Sequence, residues 1–450
     1  MRGLALASVR HRRTAFAATF VTVLLGTGLI GSFATLVGTA TGPVTGDDRS
    51  NLLIMGAVVG GWGTVIVLFS LASTLGIVVR QREVELGLLR VVGATNRQVG
   101  RLVRAETLAV SVVASALGVL LAAGGGALLL HLLVDSDVVG AEVEQSAGAV
   151  SWSATALAMV LTALAAASIA ARRATRSTPR LALAEAETGR RRLPWWRVAI
   201  AVVLVGYGLA MAAVTIGVTA HSDDPYDAMA TSGNCGILVA VGLATVSPLL
   251  LRAGSAVARR ALSDRDVRVQ LALEDAGRRP HLYGGVLAPV IVLTAATVGV
   301  MMLVNIDTRS LAVPDEGSEI INLLNYVIVA MLSLFSVVMV VNAWVTTVAA
   351  RRVELARLRL LGATPRQVRG SIMVEGSFVA GLGVLVGLVA SLASVVPFAV
   401  ARHEGVVPDG GLWLPPLLMA GAAAITLASA ALAARRLRVE PMVALSGDAR

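Results

Sequence analysis

Apolar stretches of about twenty residues or more recur ten times along this chain, and few folds tolerate that pattern. They lie near residues 15–38, 52–79, 107–134, 150–171 and 198–220, then near 234–251, 284–304, 321–349, 376–400 and 412–434. A helix of about 20 such residues crosses roughly 30 Å of hydrocarbon. Within lipid only helices and closed barrels satisfy their backbone polar groups, and barrel strands would alternate apolar and polar residues over about ten positions. The pattern predicts an all-α integral membrane protein with ten transmembrane helices. Composition agrees, with 56% hydrophobic residues, 15% charged residues and a mean hydropathy of +0.79. Aromatics make up only 4%, and the apolar mass is Ala, Val, Leu and Gly, which pack helix against helix in lipid.

Arginine supplies an independent check, because cytoplasmic loops retain positive charge. All 38 basic residues are Arg, and sorting them by alternate loops leaves only Arg49, Arg309 and Arg402 on the opposite side. The reading is a multi-pass protein of the bacterial cytoplasmic (plasma) membrane, with both termini cytoplasmic. Acids favour the short outer loops, as in Asp135, Asp137, Glu142 and Glu144. Their ordinary role is to solvate loop faces. A sequence pI near 11.1 does not point to nucleic acid here, because the positive charge is dispersed along helix ends without interleaved aromatics. Arg12 and Arg13 precede the first span as they would a signal peptide. Its apolar stretch exceeds a 7–15 residue signal core and lacks a small-x-small cleavage site, so it is read as a retained span. Cys235 is the single cysteine, which excludes an internal disulfide and a cysteine metal cluster.

The chain also repeats itself. A shift of 269 residues lays Arg82–Glu106 over Arg351–Glu375 without a gap, and 13 of 25 positions match. The matches include Arg82, Glu85, Leu89, Arg90, Gly93, Ala94, Thr95, Arg97 and Glu106, paired with Arg351, Glu354, Leu358, Arg359, Gly362, Ala363, Thr364, Arg366 and Glu375. Gly118 and Gly387 continue the register, and each half closes with Ala-Ala-Arg-Arg ahead of Pro179 or Pro441. The plan is 4 + 2 + 4: a four-helix unit at 1–183, a linker with two extra spans at 184–262, and a second four-helix unit at 263–450. An even insertion leaves the two units in the same orientation, a parallel repeat as in many transporters.

In each copy the second span is expected to run out of the membrane as one helix through VELGLLR or VELARLR and to stop at Gly-Ala-Thr. Thr95 or Thr364 then caps a short amphipathic helix along the inner membrane face. Charged anchoring alone would not require Gly, Ala, Thr and Gln to recur at fixed spacing, so the element is read as a docking surface. Two copies suit a dimeric partner. Glu106 and Glu375 lie at the inner edge of their spans and are expected to pair with an arginine such as Arg90 or Arg359. No Asp, Glu, Lys or Arg falls mid-span, whereas ion-coupled carriers usually carry intramembrane charge. His131, near the outer end of the third span, is read as a packing or interfacial residue.

These motifs, LLRVVGATNRQV with Glu106 and a Gly-rich helix, and their second copy, resemble the FtsX-like permease family, the MacB-related class of ABC transporter membrane subunits. The ten spans resemble its BceB-type members. The resemblance implies a non-catalytic membrane subunit whose segment between second and third helices of each unit contacts a separate ABC ATPase, in two copies. It assigns that contact to Glu85, Leu89, Arg90, Gly93, Ala94, Thr95 and Arg97, and to Glu354, Leu358, Arg359, Gly362, Ala363, Thr364 and Arg366. ATP and Mg are expected in the partner, because a chain without lysine cannot contain a GxxxxGK[ST] phosphate loop. No cofactor, metal or nucleic acid is expected in this chain. Many relatives carry a large outer domain after the first helix of a unit, where this chain has loops of only about 14 and 16 residues. Cargo is therefore expected to be a lipid, lipopeptide or amphipathic peptide met at the membrane. Alternatives are a signalling subunit that moves an extracytoplasmic partner, and a secondary carrier driven by an ion gradient.

Overall fold

A computed structural model describes residues 13–44, 46–61, 83–135, 139–146, 148–176, 193–222, 225–261, 267–310 and 316–436. Between 62 and 82 it describes only Gly63, Thr64, Val67, Ser70, Leu71, Thr74, Leu75 and Val79. Every regular element among these residues is helical. Nine helices among the described residues are long and apolar enough to cross a membrane, at nine of the ten expected positions. The other expected span, 52–79, lies partly outside the description. Its start is α2 (Gly46–Ile54), which passes into a π-helical turn at Met55–Val59.

Packing divides the chain into two units, Met1–Ala186 with Pro314–Met331, and Glu187–Val313 with Leu332–Arg450. The first holds α1 (Arg13–Ala40), α2, α3 (Glu83–Val91), α4 (Asn96–Asp135) and α5 (Ala149–Arg176). Its most extensive contact joins α1 to α4, with α5 against both. Small residues permit it: a Cβ on Gly118 would lie 2.6 Å from the Thr27 Cβ, and one on Gly31 would lie 2.4 Å from the Ala122 Cβ. Without a hydrophobic drive between helices in lipid, such close backbone approach supplies the packing energy. At one end of the unit Trp152 Nε1 donates to Thr35 Oγ1 at 3.1 Å, beside a cluster that includes Phe33, Leu36, Leu52 and Leu130.

The second unit contains α6 (Trp195–Gly217), α7 (Pro225–Gly233), α8 (Cys235–Thr245), α9 (Ser247–Ala261), α10 (Val267–Arg278), α11 (Pro280–Ser310), α13 (Arg352–Leu360), α14 (Pro365–Ala401) and α15 (Leu414–Arg436). Helix α12 (Glu316–Ala350) contributes its residues from Leu332 onward. Helix α11 is the axis, with 89% of its apolar window buried. Thr294 approaches Gly387 here as Thr27 approaches Gly118, with the same 2.6 Å separation from an added Cβ. The repeat is therefore one of packing as well as of sequence. The two extra helices cover α11 and α14 through α8, where Gly236 N donates to Ser394 Oγ at 2.7 Å.

Two expected boundaries move. The sixth span is not 234–251: the apolar helix covers Asp227–Thr245, and the chain restarts as the separate helix α9 at Ser247-Pro248. Proline is suited to a first turn because its missing N–H would have no intrahelical partner there. Nor does a separate surface helix follow Thr95 or Thr364. Helices α4 and α14 run unbroken for 40 and 37 residues, because nothing after the cap interrupts them. In the second copy a short helix, α13, lies on the other side of the turn; in the first copy the junction of the second span with α3 falls at residues 80–82, outside the described residues. In the second copy the expected continuous helix breaks at Arg351, with φ −98° and ψ 7°.

Candidate functional site

The Gly-Ala-Thr segments build two matching elbows at the arginine-rich ends of the helices. Helix α3 ends with Gly93 at φ +105° and α13 with Gly362 at φ +98°, a left-handed conformation that glycine adopts without steric cost. Ala94 N donates to Leu89 O at 2.9 Å and Gly93 N to Arg90 O at 3.1 Å. In the second copy Ala363 N donates to Leu358 O at 3.0 Å and Gly362 N to Arg359 O at 3.1 Å. These paired bonds form a Schellman turn. A capping box follows at once. Thr95 N donates to Gln98 Oε1 at 2.8 Å and Gln98 N returns to Thr95 Oγ1 at 3.3 Å, and Thr364 and Gln367 repeat both distances. Pro365 adds the preferred first-turn residue.

The turn satisfies its own backbone and carries an apolar tip. Val92 is 88% exposed and Leu361 is 85% exposed, next to exposed Val91 and Leu360. Leu89, Leu358, Arg97, Thr95, Thr364 and Arg366 are exposed, while Arg90, Arg359, Ala94 and Ala363 are half-buried. Glu85 lies in α3, but its side chain falls outside the described residues. Behind each tip Leu86 and Val99, or Leu355 and Val368, are buried and hold the elbow to its unit.

Deeper in the second unit the expected carboxylate pairing is present with a different partner. Glu375, 2% exposed, accepts from Arg351 Nη1 at 2.6 Å and from the Tyr283 hydroxyl at 2.6 Å. Arg359 is not that partner. It sits at the elbow, and Glu375 lies about 15 Å along α14 from the helix start at 1.5 Å per residue. Arg351, at the α12–α13 break, is at the right depth. Its other nitrogen donates to Asp275 at 3.2 Å and to Glu354 at 3.3 Å, and Glu354 also accepts from Arg279. One buried guanidinium thus ties α10, α11, α13 and α14 together. Burial opposes the Glu354 charge, yet the hydrogen bonds from Arg279 and Arg351 prevail and hold its carboxyl below the usual range. Tyr283 also meets Trp344 edge to face, with centroids 6.3 Å apart.

The sequence reading missed Arg351, Tyr283 and Asp275. The recurrence of Arg82 at Arg351 was the available signal, although Arg82 itself lies outside the described residues. In the first unit Glu106 is equally buried, at 1%, and lines a small cavity with Phe16, Val103 and Thr107. Phe16 stands at the helix position that Tyr283 occupies in the second copy, counted from Thr27 and Thr294. His131 is exposed and lies 3.5 Å from Asp135. Buried Cys235 donates to Thr231 O at 3.1 Å. No group of three or more His, Cys, Asp or Glu capable of holding a metal occurs among the described residues.

Comparison with known proteins adds one match. The family model described as FtsX-like permease C-terminal matches residues 57–179 and again 326–441, so each match contains one elbow. No curated protein matches the chain.

Proposed function

Because the chain belongs to the FtsX-like permease family and is a multi-pass membrane permease of the ABC transporter class, we propose that it couples ATP hydrolysis by a separate ATPase, in two copies, to export or extraction of a lipophilic or amphipathic substrate. The family generally works with an ABC ATPase. ATP and Mg belong to that partner. In this reading the chain has ten spans arranged 4 + 2 + 4, with units at 1–183 and 263–450 around the linker at 184–262. Both termini lie in the cytoplasm of a bacterial cell, so the elbows face the ATPase.

The observation that carries the reading is the pair of elbows. Each presents apolar tips flanked by arginine on a turn whose hydrogen bonds leave little backbone freedom. A partner that closes by ATP binding pushes both tips, and α4 and α14 carry that displacement along roughly 60 and 55 Å of unbroken helix. Rigid elements displaced by packed contacts are an ordinary means of transmitting a switch. In the second unit Arg351 passes the same load to α11. The coupling residues are Glu85, Leu89, Arg90, Gly93, Ala94, Thr95 and Arg97, with Glu354, Leu358, Arg359, Gly362, Ala363, Thr364 and Arg366. The short outer loops favour cargo that is itself embedded in the membrane. Combining Val92→Asp with Leu361→Asp is expected to abolish stimulation of the co-purified ATPase while membrane insertion is retained. Unchanged stimulation overturns the docking assignment.

A further inference from the structure

Helix α9 sorts its residues into three faces. Pro248, Leu251 and Ser255 are buried on the side that packs against α10 and α11, where an added Cβ on Gly277 would lie 2.7 Å from Ser255 Oγ. At about 3.6 residues per turn, Arg252 and Arg259 stand together on one flank of that buried face, and Leu250 and Val257 stand on the other. Both arginines are exposed, as is Arg260 at the helix end. None of the three makes an ion pair among the described residues. Val257 is 64% exposed. A helix with cations on one flank and exposed apolar side chains on the other suits the boundary between headgroups and acyl chains.

The fold lays this helix across its neighbours at such a boundary. The crossings of Val290 with Gly383 and of Thr294 with Gly387 put α11 and α14 in parallel register, and continuing it sets Gly284 level with Ser377. Ser247 Oγ donates to Gly284 O at 3.0 Å, so α9 starts at the inner edge of the apolar run 376–400 of α14. Helix α8 has by then descended along α14 from Ser394. Seven more residues in that direction would carry Gly254 about 10 Å further towards the arginine-rich face. Instead an added Cβ on Gly254 would lie 2.8 Å from Leu382 Cδ1, and Leu382 lies beyond Ser377, away from that face. Helix α9 therefore turns across α14 and descends no further. Exposed tryptophans mark the same level. Thr245 Oγ1, at the corner where α8 ends, donates to Arg197 O at 3.4 Å, and the adjacent Trp195 and Trp196 are 80% and 47% exposed. Tryptophan is enriched where membrane meets water.

The exposed flank defines its own ligand. A guanidinium offers a planar fork of N–H donors that matches phosphate oxygens in pairs, and its long apolar stem lets the charge reach the headgroups from a helix seated at the acyl boundary. Arg252 and Arg259 are roughly 10 Å apart along one line of the helix, so they present one strip of positive charge to the membrane surface. We propose that α9 is an in-plane helix that binds anionic phospholipid headgroups of the leaflet on the arginine-rich side through Arg252 and Arg259, with Arg260 adding to the same field and Val257 among the acyl chains. The bound lipid holds the corner at Val246 and so fixes the depth of α8 against α11 and α14. This inference needs the membrane-spanning helices and not the ATPase contact.

The test uses the full chain carrying Cys235→Ala, reconstituted in phosphatidylcholine vesicles in which a growing share of lipid is phosphatidylglycerol. A small fluorophore is attached through Ala253→Cys on α9 or, as a control, through Val203→Cys, which is 66% exposed in the span α6. Lipids brominated on their acyl chains quench the fluorophore on contact, so the two lipids compete at a chosen place. At Ala253 phosphatidylglycerol is expected to bind at least about fivefold more tightly than phosphatidylcholine, the effect of roughly one arginine at an anionic surface. At Val203 the two are expected to bind alike. The combined change Arg252→Gln, Arg259→Gln and Arg260→Gln is expected to bring the ratio at Ala253 close to that at Val203, and lysine at the same three positions is expected to retain it, since the charge is kept. Equal binding of the two lipids at Ala253, or a ratio that survives the glutamine changes, overturns the proposal. Quenching by neither lipid means that this face meets water or a protein partner, and overturns it as well.

Discussion

In the second unit a buried carboxylate is held by an arginine and a tyrosine, while in the first unit Phe16 stands at the tyrosine's position. The elbows of the two units match closely in hydrogen-bond distances, and so do the Thr–Gly crossings of their main helix pairs. Two repeats can therefore keep the same elbow while their interiors diverge. The outer shape depends on a short local code, and the interior depends on which side chains meet across helices. The extra helices sharpen the contrast: 89% of the apolar window of α11 is buried, against 56% for the equivalent helix α1.

The largest expected effect lies in the second unit. Arg351→Met leaves Glu375 buried beside a hydrocarbon chain, and breaking a buried pair in this way costs about 3–5 kcal/mol. Thermal unfolding of the purified variant measures it. Tyr283→Phe makes this site resemble the first unit and should cost less, about 1.5–3 kcal/mol for one charged hydrogen bond. If the two variants melt alike, Arg351 is not the centre of the network.

A smaller and equal effect is expected where the units agree. Gly118→Ala would bring its Cβ within 2.6 Å of Thr27 and 2.9 Å of the Leu24 carbonyl, and Gly387→Ala meets Thr294 and the Ile291 carbonyl at 2.6 and 2.8 Å. Overpacking of this kind costs roughly 1–3 kcal/mol. A large difference between the two variants in melting temperature would show that the crossings are not equivalent.

The smallest effect is in the pH response. Glu354 titrates below its ordinary value in the folded chain, so its charge stabilises above the unfolded pKa of about 4.3. That contribution is lost as pH falls through the depressed folded value. Glu354→Gln is expected to flatten the acid side of the stability profile below about pH 4 and to leave neutral behaviour nearly unchanged. An unaltered acid slope would remove Glu354 from the network.

Much of the elbow was legible before any coordinates. Gly-Ala-Thr followed by Gln is a local signal, since a positive-φ glycine and a reciprocal cap need only residues within one or two turns. The tip was read correctly as helix end and helix start, but the piece after it is no separate helix, because periodicity does not say whether an amphipathic turn ends or merges into a span. Glu375 pairs with an arginine as expected, but with Arg351 rather than one such as Arg359, for a similar reason. Sequence spacing measures distance along a helix, and Arg351 and Tyr283 reach Glu375 from other helices, Tyr283 from 92 positions away.

By itself the sequence determined that the chain lives in lipid, that it carries two copies of one helical unit, and where each copy bends. Apolar length, arginine alternation and capping residues act over short stretches of chain and need no tertiary partner. Only the packed structure decided which carboxylate meets which arginine and that α11 is enclosed by the inserted helices. Those outcomes depend on helix register, which is set by close glycine contacts between segments far apart in the chain.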